Sequence, residues 1–275
     1  MSATTHPAVE GSGTDDYGVR FFGNPLRLAF SASPWRSAAF LFSYLIMSGV
    51  LFSVAFTAAV TAAALAFTLI AFPLLIAAAN VVHACSAAER TRLRWVFARP
   101  VRASYQQPAA AGLRAQASAS WRYRGTWREL AYLSGLWVPL TALDTIVVSV
   151  WATFLAGVTL PLWYWAPWEE FGNGQRAHGV QLGYFPNGPN GAGGHGLYIN
   201  TLPRALLAAA GFAILFLLFN YVLVATARMH GRVARALLRE PADPLAEVRT
   251  VLAGAGPLGP MTGTAPLEPA GPASG

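Results

Sequence analysis

Residues 37–88, 52 in a row between Arg36 and Glu89, contain no Asp, Glu, Lys or Arg. A helix rises ~1.5 Å per residue, so about 20 residues cross a ~30 Å hydrocarbon core and this run is long enough to cross twice. The rest of the chain agrees with that reading. Only 11% of its residues are charged and 55% are hydrophobic, where a soluble domain carries about 25% charged residues to face water. The expected fold is all-α: a multi-pass protein of the cell membrane whose principal partner is the lipid bilayer.

Four spans are expected, arranged as two hairpins with both termini cytoplasmic. In the first hairpin Ser33 is expected to cap the opening helix, with Pro34 in its first turn and Trp35 and Arg36 at the interface. Length alone places the spans at about 37–57 and 61–83 and the reversal near Thr57 to Thr61. Pro73 should then kink the second span. A third segment runs from Thr126 to about Leu162, too long for one perpendicular crossing, so the part before Pro139 either projects into the cytoplasm or lies on the interface. The fourth span is bracketed by Arg204 and Arg228, with no charged residue between. Trp35-Arg36 recurs as Trp127-Arg128, each opening a hairpin, and this weak echo implies two units that go out and return in the same direction.

The polar flanks complete the layout. Residues 1–33 hold no apolar core region for a secretory signal and read as a flexible cytoplasmic arm. Residues 34–240 form the membrane domain, and 241–275, rich in Gly, Pro and Ala, a cytoplasmic tail. Between the third and fourth spans, about 163–202, lies a Gly-rich loop poor in basic residues and dense in turn formers at Asn187-Gly188-Pro189-Asn190-Gly191. By the positive-inside rule it belongs outside.

The net charge of +7 comes from arginine alone. Arg90, Arg92, Arg94, Arg99 and Arg102 follow the second span and Arg228, Arg232, Arg235 and Arg239 the fourth, which is topology written in loops and gives no reason to expect nucleic acid. With Cys85 the single cysteine, an intramolecular disulfide is excluded.

Few residues could carry chemistry. Asp144 is the acidic group deepest in an apolar segment; an ionisable side chain there is costly and points to signalling or proton linkage, or else to a packed or interfacial carboxylate. Trp163, Tyr164, Trp165 and Trp168, followed by Glu169 and Glu170, could form a ligand platform at the outer surface, or an aromatic belt at headgroup level. Glu169, Glu170, His178 and His195 match no metal-ligand spacing, and His83 and Cys85, two apart, fall on different faces of a helix. Phosphate-loop, nucleophile-elbow and zinc-protease motifs are missing from the chain. Neither an enzyme nor a metal or cofactor is expected.

Several segments in order carry a resemblance: Ser33-Pro34-Trp35-Arg36; Thr126-Trp127-Arg128-Glu129-Leu130-Ala131-Tyr132-Leu133; Thr159-Leu160-Pro161-Leu162-Trp163-Tyr164-Trp165-Ala166; Ile199-Asn200-Thr201-Leu202-Pro203-Arg204-Ala205-Leu206-Leu207; and Arg232-Val233-Ala234-Arg235-Ala236-Leu237-Leu238. Over about residues 33–240 the chain resembles the Putative sensor domain family of actinobacteria, membrane input modules often fused to a cytoplasmic histidine kinase. The resemblance implies a sensor that relays an external or in-membrane signal. Where kinase-fused members continue into a phosphoacceptor helix, this chain runs into Pro241-Ala242-Asp243-Pro244, and His230 sits too near the membrane to be that phosphoacceptor. The expected output is therefore a separate histidine kinase or regulator, reached through shifted helix packing with Pro73, Pro139 and Pro161 as flex points; a homodimer is compatible with this. The rival reading is a small permease-like transporter subunit, for which Asp144, Thr145 and Asn220 would be the mid-membrane polar groups.

Overall fold

Ser31 accepts a hydrogen bond from the Ser33 N–H at 3.3 Å and opens a helix that then runs unbroken for 33 residues. This is α2, Ala32–Ala64, preceded by the short α1, Pro25–Ala29, whose first N–H groups are held by the Asn24 side chain. In the computed structural model of the chain, which describes residues 17–68, 70–101, 112–171, 174, 176–188 and 191–239, six more helices follow. They are α3 (Ala71–Arg92), α4 (Leu113–Arg122), α5 (Arg124–Leu130), α6 (Trp137–Val158), α7 (Leu160–Trp163) and α8 (Leu202–Leu238). A 3₁₀ turn, Leu93–Trp95, extends α3, and a π-helical turn, Ala131–Gly135, joins α5 to the start of α6.

Four of these elements, Ala32–Ala64, Ala71–Trp95, Trp137–Val158 and Leu202–Leu238, are long and apolar enough to cross a membrane. No more than 33% of any of their most apolar windows is buried inside the molecule. The exposed remainder includes the apolar side chains Ile46, Val50, Phe72, Ile146, Leu207 and Ile214, which face outward. A water-soluble bundle would bury that surface, whereas a bilayer solvates it.

The reversal of the first hairpin lies after Ala64, seven residues beyond the expected Thr57, because nothing in the Ala- and Val-rich stretch 57–64 stops a helix. This also moves Pro73 from a span interior to the first turn of α3. The same holds for every helical proline among the described residues: Pro25, Pro34, Pro73, Pro139, Pro161 and Pro203 all stand within three residues of a helix start. There the N–H that proline lacks has no intrahelical acceptor, so no hydrogen bond is lost. Pro73, Pro139 and Pro161 start helices rather than bend them, which removes the reason for treating them as flex points. Ser33 is likewise inside α2 rather than at its cap; its hydroxyl accepts from the Arg20 N–H at 3.0 Å.

Cross-helix contacts fix the relative sense of the hairpins. Trp35 meets Trp151, Ser48 Oγ lies 3.4 Å from Thr141 Oγ1, and Phe52 stacks on Trp137 at 4.2 Å between ring centroids, so α2 and α6 run antiparallel. Asp144 meets His230 and Trp151 meets Asn220, so α6 and α8 are antiparallel as well, and α2 is parallel to α8. The turn after Ala64 and the loop after α7 consequently lie at opposite ends of the molecule. This corrects the expectation of two units pointing the same way. The two hairpins extend in opposite directions from a waist, the stretch where Trp35, Ser48 and Phe52 of α2 meet Trp151, Thr141 and Trp137 of α6. The packing follows from where the buried polar side chains are: Glu89 and Arg92 end α3, and Asp144 and His230 lie at the matching level of the second hairpin.

The expected arm is not featureless up to residue 33. Tyr17 pairs with Phe97 in an antiparallel bridge, the Gly18 N–H donates to Val96 O at 2.8 Å, and Tyr221 Oη donates to Phe22 O at 2.8 Å. Arg228 binds the Val19 carbonyl and covers the Tyr17 and Phe21 rings, while Leu28 packs with Val19 and Val224. Residues 17–31 are thus a strap on α8. The remainder of the expected arm and the expected tail, 241–275, lie outside the described residues.

The Gly-rich loop is folded rather than irregular. β1 (Trp168–Glu170) pairs antiparallel with β2 (Arg176–His178), and β3 (Val180–Tyr184) with β4 (His195–Ile199). Gly183 and Gly196 face each other across the second pair at φ +140° and +130°, where an added Cβ would strike the opposite backbone.

Two outcomes test this architecture. With Cys85 replaced by Ser, the pair Ser48→Cys and Thr141→Cys should form an intramolecular disulfide under mild oxidation, and Ser48→Cys with Thr159→Cys should not; the reverse result would restore hairpins that point the same way. Gly183→Val should destabilise the β3–β4 pair by about 1–3 kcal/mol, read as faster limited proteolysis between residues 180 and 199 with the helices unaffected.

Candidate functional site

The site begins with a stripe of small residues. On α8, Ala227, His230, Gly231 and Ala234 recur at helical spacing and are all buried, so an imidazole is set among small residues on that face. Its environment is supplied by every other long helix. Tyr44 of α2 stands edge to face against the ring at 4.5 Å between centroids and Phe40 at 5.2 Å. Asp144 of α6 places Oδ2 2.8 Å from His230 Nδ1. The π turn, with one residue more than an α turn, carries Tyr132 inward so that its hydroxyl lies 3.2 Å from His230 Nε2.

From Tyr132 the chain of contacts enters α3. The Tyr132 hydroxyl is 3.4 Å from Glu89 Oε2, which also accepts from Arg92 Nη1 at 2.5 Å. Arg92 then donates through Nε to Ser43 Oγ at 3.0 Å and through Nη2 to the Phe40 carbonyl at 2.7 Å, and its guanidinium lies over the Phe40 and Tyr44 rings. Asp144, His230, Tyr132 and Glu89 are each no more than 1% exposed. A polar path therefore crosses the apolar waist from α6 through α8 and the π turn to α3 and α2.

A second group lies beside it. Glu129 of α5 accepts from Arg90 Nη1 at 2.8 Å and lies 2.6 Å from His83 Nδ1. The same Arg90 nitrogen reaches the carbonyl of Leu238, the last residue of α8, at 3.4 Å, and Arg128 binds the Ala236 carbonyl. The end of α8, where the C-terminal segment departs, is thereby tied to α3 and α5. Ions in an apolar interior are tolerated only when paired and hydrogen-bonded, and removing one partner is more costly than removing both.

Of the residues singled out from sequence, Asp144 is in this site, and as a packed carboxylate with a charged-capable partner rather than an interfacial one. The others lie at the far end of α6, ~21 Å along the helix from Asp144 to Val158 alone, so the structure does not unite them with it. Trp163 and Tyr164 pack on Leu160, Ile199 and Ala205, with Trp163 Nε1 donating to Thr159 Oγ1 at 3.2 Å. Trp165 and Trp168 are 63% and 65% exposed, and Trp168 lies against the His178 ring. Glu170 is paired with Arg176 at 2.9 Å on the surface, and Glu169 Oε2 accepts from Gln181 at 3.4 Å. Tyr198 donates to the His178 carbonyl at 3.0 Å; burial, with the charge of Glu169, holds its hydroxyl above the ordinary tyrosine range.

His230, Tyr132, Glu89 and Arg92 were missed. In the sequence His230 stands among the arginines that follow the fourth span, Glu89 borders the uncharged run and Arg92 is one of the arginines after the second span. The readable signals were the small-residue stripe around His230 and the i, i+3 spacing of Glu89 and Arg92, which puts both on one face of a helix.

If these pairs hold the waist together, Arg92→Met should cost about 3–5 kcal/mol because it strands Glu89 in the interior, while Arg92→Met with Glu89→Leu should recover most of the loss. Thermal unfolding in mild detergent reads both; equal losses in the single and double variants would contradict the assignment.

Four membrane-length apolar helices joined through a buried polar waist, with a folded loop at one end, agree with the outcome of the comparisons. The model of the family described as Putative sensor matches residues 30–238, from the strap on α8 to the last residue of that helix. No curated protein and no solved structure matches the chain. The matched stretch is most of the chain and contains every residue of the waist, and the chain belongs to the Putative sensor family.

Proposed function

We propose that this member of the sensor family is a non-enzymatic signal-input module of the cell membrane that relays its signal to a separate cytoplasmic partner, a histidine kinase or a transcription regulator. The observation that carries the reading is the waist. Signal relay needs an element with two packings whose balance a stimulus can bias, and a buried polar path shared by α2, α3, α6 and α8 cannot be altered at one helix without changing the others. Arg90 and Arg128, beside that path, bind the last carbonyls of α8 and so tie α3 and α5 to its C-terminal end.

The weakly basic β-hairpin end is the natural external face for α6 and α8, with the arginines of the α8 terminus on the cytoplasmic side. Trp165 and Trp168, exposed beside Glu169 and Glu170, are the side chains a ligand would meet first. One feature favours a second reading, a permease-like subunit: the helix leading into α6 is broken at Ala131–Gly135 next to buried charges, as in transporters.

Co-purification of the tagged chain from its native membrane in mild detergent, with partners identified by mass spectrometry, separates the two. A histidine kinase or regulator is the expected partner. Recovery of an ATPase or a second permease-like subunit would overturn the sensor module in favour of transport.

A further inference from the structure

We propose that His230 is a proton-binding site, and that its protonation transfers the hydrogen bond of the Tyr132 hydroxyl from α8 to α3. The inference deepens the sensor reading above by naming a stimulus class, the proton, and the group that takes it.

The geometry gives Tyr132 one proton and two acceptors. In neutral His230 the Nδ1–H donates to Asp144 Oδ2 at 2.8 Å, and the Nε2 lone pair accepts from the Tyr132 hydroxyl at 3.2 Å. When Nε2 takes a proton from water, that lone pair is consumed and Nε2–H becomes a donor to the Tyr132 oxygen. The phenolic hydrogen must then turn away, and Glu89 Oε2 at 3.4 Å is positioned to accept it. One proton is gained, no covalent bond between heavy atoms changes and no oxidant is required. A contact within the second hairpin and the π turn is exchanged for one that pulls on α3 of the first hairpin.

Charge supports the site. The groups facing His230 are Tyr44 from α2, Glu89 and Arg92 from α3, Tyr132 from the π turn and Asp144 from α6, while Arg228 of its own helix is turned to Val19, Tyr17 and Phe21. Glu89 and Asp144 bring two carboxylates against the single guanidinium of Arg92, and a proton on His230 balances them. Glu89 Oε1 and Asp144 Oδ1 are moreover buried without a hydrogen-bond partner, the condition in which nearby positive charge is most favourable.

The test uses the full chain in lipid nanodiscs with ¹⁵N-labelled histidine and ¹³C-carboxyl glutamate, with His230→Gln assigning the imidazole signal. As the pH is lowered from about 8 to about 5, the His230 resonances should pass from a neutral tautomer to imidazolium, and the Glu89 carboxyl signal should move in step with them. Asp144→Asn should displace that transition, because it removes the carboxylate beside His230 Nδ1. Tyr132→Phe should leave His230 titrating but uncouple Glu89, which keeps the idea testable if Asp144→Asn does not fold. A His230 that holds one protonation state across this range, or a Glu89 signal indifferent to its titration, overturns the switch. The relay reading fails separately: a titrating His230 in a chain that recovers no cytoplasmic signalling partner keeps the proton site and removes the relay.

Discussion

Ionisable side chains inside an apolar bundle must find one another, because neither lipid nor a hydrocarbon-like interior offers them another partner. That constraint organises this protein. Asp144, His230, Tyr132, Glu89 and Arg92 come from four separate segments spread over more than half the sequence, and they satisfy one another only if α2, α3, the π turn, α6 and α8 meet at one level. The apolar contacts of Phe40, Leu41, Tyr44, Val82 and Leu223 fill the space around them. Those contacts tolerate sliding and rotation better than fixed hydrogen-bond geometry does, so the polar groups set the register and the apolar groups supply the bulk of the packing.

The opposed sense of the hairpins is a consequence of the same constraint. Each hairpin carries its polar residues near its open end, and joining open end to open end pairs them while leaving the apolar flanks facing outward. The strap of residues 17–31 reinforces the waist from outside, with Arg228 and Arg232 donating to Val19 and Tyr17 and covering the aromatic rings. The β-hairpins lie at the far end of α6 and α8, so their influence on the waist has to travel along those two helices.

Hydropathy made the four apolar helices legible, because span length is fixed by a physical dimension of the bilayer. Helix starts were legible to within a turn at Pro34 and Pro203 but not at Pro73, Pro139 and Pro161, which read as flex points inside longer segments. The reversal after Ala64 was not legible, since neither Gly nor Pro stops the helix there and length alone cannot place a turn inside a uniformly apolar run. The β-hairpins were hidden by their brevity: Val180–Tyr184 alternates as a strand should, but over five residues and with Gly183 as its fourth. Asp144 stood out as a charge in an apolar segment, whereas its partners did not. His230 lies beside arginines that read as a loop, and Glu89 and Arg92 border the uncharged run, so only their long-range meeting shows that they are interior. Hairpin direction depends on such contacts and has no local signal at all.

The most direct test of the waist as a single coupled unit is a double-mutant cycle between residues that touch only through Tyr132 and belong to different hairpins: Glu89→Leu on α3 and His230→Phe on α8, with unfolding free energy measured in mild detergent. The account predicts non-additivity of about 1 kcal/mol or more, as members of one hydrogen-bonded network give. Losses that add to within about 0.5 kcal/mol, the behaviour of independent sites, would contradict it and leave two apolar hairpins that merely lie against each other.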